Sequence, residues 1–112
     1  MKTRSYNSKQ TRMRVYKKYD AHCAYCGKDL LYKEMQVDHI EPQWQGENHN
    51  IENLNPSCSQ CNHYKRANSL EAYRELVKTL HQRLTKPYIN KVALDYGIII
   101  LRPFDGKFYF ER

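Results

Sequence analysis

The sequence predicts an α+β fold. A small core of two antiparallel strands and a helix is stapled by a four-cysteine metal site, with a helix before it and a longer helix and a β-hairpin after it. Three observations lead there. Two Cys-x-x-Cys pairs, Cys23/Cys26 and Cys58/Cys61, flank a strand-compatible stretch ending near Ile40. Leu70, Tyr73, Leu76, Val77, Leu80 and Leu84 repeat at helical spacing. The tail carries two apolar runs around Asp105-Gly106, a hairpin-turn dipeptide. At 112 residues the chain reads as a single domain, 1–112, with its core over about 12–66 and a helical and hairpin extension over 67–112.

In chain order, residues 1–10 are polar and read as a loose arm. Met13, Val15 or Tyr16, and Tyr19 give a short basic helix over 12–19, with Thr11 as its N-cap. Cys23-Ala24-Tyr25-Cys26 forms a knuckle, and Gly27 lets the backbone turn so that both sulfurs face one point. Residues 29–33 and 35–40 are expected to pair as antiparallel strands across a turn near Lys33-Glu34, and Pro42 ends the second. The polar stretch Gln43 to Asn50 reads as an exposed loop. Pro56 precedes the second knuckle, and a short helix should follow Cys58 through about Ala67. Ser69 caps the long helix, Pro87 closes it, and a further short helix over 88–96 ends at Gly97. Ile98 to Arg102 and Lys107 to Glu111 are the expected hairpin strands, the first demoted toward an edge by Pro103.

The chain carries a formal net charge of +7 and a pI near 9.3. Seven Lys/Arg and no acid fall in the first eighteen residues. Such a surface favours polyanions, nucleic acid above all, though it also serves plain solubility. No apolar run is long enough to span a bilayer, and no secretory signal is visible, so the cytoplasm is the expected compartment. In a reducing compartment, paired Cys-x-x-Cys motifs read as metal ligands rather than disulfides. Two knuckles fill all four corners of a tetrahedral zinc site with Cys23, Cys26, Cys58 and Cys61, which makes the zinc structural. Reduced core cysteines or a redox pair are the competing readings.

Between the knuckles stands Asp38-His39. Asp38 and Asn62 can each give an oxygen to a hard cation, and a neutral His39 can take a proton from water. Asn62, Lys65 and Arg66 share one face of the short helix. Each residue has a plainer explanation: a surface acid, a partly buried histidine, a solvated helix lysine. Together they gain force, because the knuckles tie the strand bearing Asp38-His39 to the helix bearing Asn62.

Cys-x-x-Cys, then Val37-Asp38-His39-Ile40 with Pro42, then Gly46, then Asn53-Leu54, then Cys58-x-x-Cys61-Asn62-x-x-Lys65 resembles the HNH endonuclease family, over about Arg12 to Lys65. The resemblance implies the ββα-metal fold and the hydrolysis of DNA phosphodiester bonds to 5′-phosphate and 3′-hydroxyl products. It implies Asp38 and Asn62 as ligands of one catalytic divalent cation (Mg²⁺, Mn²⁺ or Ni²⁺), with His63 as the alternative to Asn62. It implies His39 as general base, Asn53 as the residue that orients loop and base, and Lys65 facing phosphate. Gly46-Glu47 departs from the Gly-Gly common in the family.

Arg12, Arg14, Lys17, Lys18, Lys65 and Arg66 are the expected contacts to the backbone of double-stranded DNA, with little sequence preference. A role in phage DNA packaging, with packaging proteins as partners, or in bacterial defence is a further implication of the resemblance. A monomer or weak dimer is expected. A zinc-stabilised nucleic-acid-binding module without chemistry, or a protein-interaction domain using the tail, are the rival functions.

Overall fold

The computed structural model describes residues 8–112; of the arm expected over residues 1–10, the first seven lie outside the described residues. Contacts divide the chain into two units. One comprises the residues up to Leu70 together with Phe108–Arg112, and the other is Glu71–Lys107.

The first unit begins with α1, Lys9–Lys17. The Ser8 hydroxyl accepts from the Thr11 amide at 3.1 Å and caps it. Thr11, expected as the cap, instead supplies the capped N–H, so the helix starts earlier than predicted. Val15 is fully buried on its inner face. The chain then folds into the first knuckle, where the Gly27 amide donates to the Cys23 carbonyl at 2.9 Å. Gly27 has φ +81°, a conformation that L side chains rarely adopt, and a Cβ there would lie 2.6 Å from Cδ1 of Tyr109.

The sheet is two-stranded and antiparallel. It pairs β1, Gln36–His39, with β2, Leu54–Ser57, in the register Val37 opposite Pro56 and Asp38 opposite Asn55. This corrects the expected pairing of 29–33 with 35–40. Residues 28–30 turn back on the first knuckle instead. The Cys23 amide donates to the Lys28 carbonyl at 2.9 Å, and the Leu30 amide to that of Ala21 at 2.8 Å. Tyr32–Glu34 is a single 3₁₀ turn. Strand β2 has the composition of a loop, but all four of its residues are buried. Its Pro56 has no N–H to offer a ladder, and its carbonyl accepts from the Ala24 amide at 2.8 Å, which seats the knuckle on the sheet.

Helix α2, Ser59–Lys65, follows directly, and Cys58 is its N-cap. The second unit holds α3, Leu70–Thr85, from its second residue on, and α4, Tyr88–Asp95, which Pro87 opens. Arg74 fixes the returning chain by donating to the Gly106 carbonyl at 2.7 Å. Tyr88, Ile89, Tyr96, Ile98 and Ile100 are exposed.

The expected C-terminal β-hairpin does not form. Asp105 closes a local turn by accepting from the Lys107 amide at 3.0 Å. The last residues find better partners in the first unit. There Tyr109 donates to the Tyr25 carbonyl at 3.1 Å and Phe110 to the Ala24 carbonyl at 2.8 Å. Phe108 is buried, and its ring meets Tyr25 edge-on at 5.3 Å. Hydrogen bonding to the knuckle together with aromatic burial outcompetes a two-stranded hairpin weakened by Pro103. No helix among the described residues is long and apolar enough to cross a membrane.

Gly27→Ala is expected to destabilise the protein by about 1–3 kcal/mol, from the left-handed φ and from displacement of the Tyr109 ring. Urea unfolding followed by circular dichroism measures it, and a loss no larger than that of an exposed-loop alanine would show that the knuckle tolerates a side chain.

Candidate metal and cleft site

The four cysteine sulfurs all lie within 4.8 Å of one another, and Cys23, Cys58 and Cys61 are buried. A tetrahedral Zn–S site has S···S edges near ~3.8 Å, so this cluster can hold zinc with little rearrangement. Backbone amides aim at it: Cys58 N–H at the Cys23 sulfur, 3.4 Å, and Cys61 N–H at the Cys58 sulfur, 3.3 Å. A hydrogen bond from Cys61, helped by backbone amides, pulls the Cys23 thiol down to about 4. The same bond, with burial, pushes Cys61 far above its usual range. A set of sulfurs this close favours deprotonation only where a cation shares the charge. The Cys58 sulfur is at once a cluster member and the cap of α2, so the knuckle and the helix start are one structure.

Asp38 sits in β1 with a buried carboxylate. The Tyr25 hydroxyl donates to its Oδ2 at 2.5 Å. The Lys65 ammonium lies 3.2 Å from Oδ2 and 3.5 Å from Oδ1. Burial raises the Asp38 pKa above the ordinary carboxylate value, and the Lys65 charge and the Tyr25 hydrogen bond oppose that rise. Burial, then the Asp38 charge, pushes the Tyr25 hydroxyl well above its usual value.

Lys65 was expected to face phosphate. It is 1% exposed, and its ammonium also donates to the carbonyls of His39, 2.9 Å, and Asn68, 3.0 Å. Sharing a helix face with Asn62 puts it toward the sheet rather than toward solvent. Two other expected phosphate contacts also turn inward. Lys18 donates to the carbonyls of Ile51, 3.0 Å, and Leu54, 2.5 Å. Arg12 donates to the carbonyls of Tyr32, 3.3 Å, and Met35, 3.1 Å, and lies over the Tyr32 ring. Arg14, Lys17 and Arg66 are exposed.

His39 is the last residue of β1, so the chain leaves the strand there. Asp38, His39 and Asn62 border one open cleft of about 270 Å³, which Pro42, Gln43, Trp44 and Arg66 also line. Neighbours in a flat strand point to opposite faces. The exit of the chain at His39 is what allows both residues to reach the cleft. The Asn62 amide nitrogen donates to Gln36 Oε1. His63 is exposed on α2 and does not border the cleft. Asn53 is buried, and its side chain holds the loop after β1. Its amide nitrogen donates to the carbonyls of Glu41, 3.2 Å, and Asn48, 2.9 Å, and its oxygen accepts from the Glu41 amide at 2.9 Å.

Three residues escaped the sequence reading. Tyr25, the middle of the first knuckle, holds Asp38. His49 Nδ1 lies 2.9 Å from His39 Nε2. Trp44 is 69% exposed at the cleft rim, where its indole N–H donates to the Ala67 carbonyl at 2.6 Å. The signals were a lone tryptophan and a third histidine in a polar loop, and an aromatic between two metal ligands.

Residues 23–68 match the HNH endonuclease family model. Among solved structures, the chain is similar to the Type II-C Cas9 enzyme from Actinomyces naeslundii, with a TM-score of 0.54 and 28% identity. The match covers 65% of this chain and 9% of that one, so this chain spans only a small part of its length. No curated protein matches.

Lys65→Met is expected to cost about 3–5 kcal/mol, because it leaves the Asp38 carboxylate buried without a counter-charge. Adding Asp38→Asn should recover part of that loss. Denaturant midpoints of both single variants and the double variant measure it; simple additivity would show that the two side chains do not act as a pair.

Proposed function

We propose, from the match of residues 23–68 to the HNH endonuclease family, that the protein is a metal-dependent endonuclease that hydrolyses phosphodiester bonds of double-stranded DNA. The reading rests on one observation: an acid, an imidazole and a carboxamide, Asp38, His39 and Asn62, border a single cleft. Hard oxygen donors from a strand and a helix suit a divalent cation such as Mg²⁺, Mn²⁺ or Ni²⁺. When bound by Asp38 and Asn62, it would polarise the phosphate and offset the charge that develops on it.

The remaining work belongs to the chain's own groups. His39 takes a proton from water, and the water oxygen bonds to phosphorus as the bond from phosphorus to the 3′ oxygen breaks. The departing oxygen takes its proton from solvent, which leaves a 5′-phosphate and a 3′-hydroxyl. Tyr25 and Lys65 hold the Asp38 carboxylate in one orientation, and Lys65 also holds the His39 carbonyl. Asn53 holds the loop after β1, whose Pro42, Gln43 and Trp44 border the cleft, through the backbone of Glu41 and Asn48. Exposed Arg66 on the cleft, with Arg14 and Lys17 on α1, would meet the DNA backbone by charge, with little reading of bases. The four cysteines would hold a structural zinc, their four sulfurs supplying all of its ligands.

His39→Ala is expected to lower the nicking rate on supercoiled plasmid by about 10²–10⁴-fold, with DNA binding and metal content kept. Wild-type nicking in that variant would overturn the assignment of the base. Absence of EDTA-sensitive nicking by the wild-type protein would favour a binding module instead. For the cysteine cluster, one equivalent of zinc is expected in the purified chain, and Cys61→Ser should abolish its cooperative unfolding, since structural zinc contributes ~10–16 kcal/mol in small metallo-domains. Zinc lost with the cooperative transition intact would count against a structural role.

A further inference from the structure

His39 has two ring nitrogens, and only one can act on water. Its Nε2 lies 2.9 Å from His49 Nδ1, with the rings at 69° and their centroids 5.1 Å apart, which brings the two nitrogens together at the ring edges. A hydrogen bond between two imidazoles needs one donor and one acceptor. The exposed Glu47 carboxylate favours one arrangement. Its Oε1 lies 3.7 Å from His49 Nε2, and a carboxylate there favours a proton on that nitrogen. In that arrangement His49 Nδ1 is the lone-pair acceptor and His39 Nε2 carries the proton.

We propose that His49 is a positioning residue for His39: it fixes the tautomer in which Nδ1 of His39 is the basic nitrogen. The proposal deepens the nuclease reading and rests on it for its kinetic part. The loop that carries His49 is built to hold it. Asn53 clamps the backbone at Glu41 and Asn48, and the Asn48 side chain accepts from the Asn50 amide at 3.0 Å, so His49 stands between two fixed neighbours. His49 itself is half-buried. The arrangement has the form of an acid, an orienting group and a base in line, with an imidazole as the middle member.

The test compares wild type, His49→Ala, His49→Asn and His39→Ala. The asparagine oxygen can occupy the place of the imidazole Nδ1 and accept the same hydrogen bond. Nicking at saturating DNA is expected to fall about 10–100-fold in His49→Ala, the usual cost of losing a group that orients a histidine. The DNA concentration for half-maximal rate should not change, and His49→Asn should recover at least half of the lost decade or decades. Nitrogen-15 spectra of the imidazoles give a readout independent of turnover: His39 is expected as the Nε2–H tautomer in wild type and in His49→Asn, and as a tautomer mixture in His49→Ala.

Full activity of His49→Ala beside an inactive His39→Ala would overturn this inference and leave the nuclease reading standing. So would a wild-type His39 protonated on Nδ1. An active His39→Ala, or a wild-type protein that never nicks, would overturn the nuclease reading and with it the kinetic role of His49. If His49→Ala does not fold, His49→Asn decides: wild-type tautomer and rate support the proposal, and a tautomer mixture overturns it.

Discussion

The Cys58 sulfur is where the structure is joined. It accepts from the Cys61 amide and so starts α2, and it belongs to a cluster whose other half comes from the first knuckle. Strand β2 ends one residue before it, and the first knuckle is seated on β2 through the Pro56 carbonyl. The three pieces of the core therefore meet at one group of sulfurs. A chain of this size has a modest apolar interior. Much of the burial falls on the knuckles and the residues beside them: Ala24, Tyr25, Leu54 and Phe108 as well as Cys23, Cys58 and Cys61. The geometry of the cleft is inherited from that junction, because β1 pairs with β2 and Asn62 follows Cys61.

A second constraint acts inside this frame. A carboxylate as buried as that of Asp38 is costly unless its charge is met and its lone pairs are used. Tyr25 and Lys65 meet that demand, one from the first knuckle and one from the end of α2. Burial still wins in part, as the raised pKa of Asp38 shows. The result is an acid whose orientation is fixed before any ligand arrives. Removal from water also strengthens its interaction with a cation.

Much of this was legible in the residues. The two Cys-x-x-Cys pairs announced the sulfur cluster, and the helical spacing from Leu70 to Leu84 announced α3. Strand β2 was hidden because Leu54-Asn55-Pro56-Ser57 lacks β-branched or aromatic residues and contains a proline. Burial on every side, not propensity, makes it a strand. The direction of Lys65 was hidden for a different reason. Periodicity tells which residues share a helix face, not what that face packs against. The tail misled because its apolar pattern suits a hairpin as well as it suits docking, and only the Ala24 and Tyr25 carbonyls of the first knuckle, which take the tail's amides, decide between them. The pairing of His39 with His49 depends on a loop path that no local pattern encodes.

The inward turn of Lys65, Lys18 and Arg12 alters what the overall charge of +7 means to a polyanion. The ammonium of Lys65 is cancelled at home by Asp38, and the other two cations are spent on carbonyls of the fold. Of the six cationic side chains first read as facing phosphate, three remain outward: Arg14, Lys17 and Arg66. Counterion release scales with the phosphates neutralised, at roughly 0.9 per contact on duplex DNA. Through these side chains the slope of log affinity against log salt would be near −3 rather than near −5, roughly half of what six contacts would give. On the nuclease reading, contact through these three side chains alone would favour brief visits of the cleft to each phosphate.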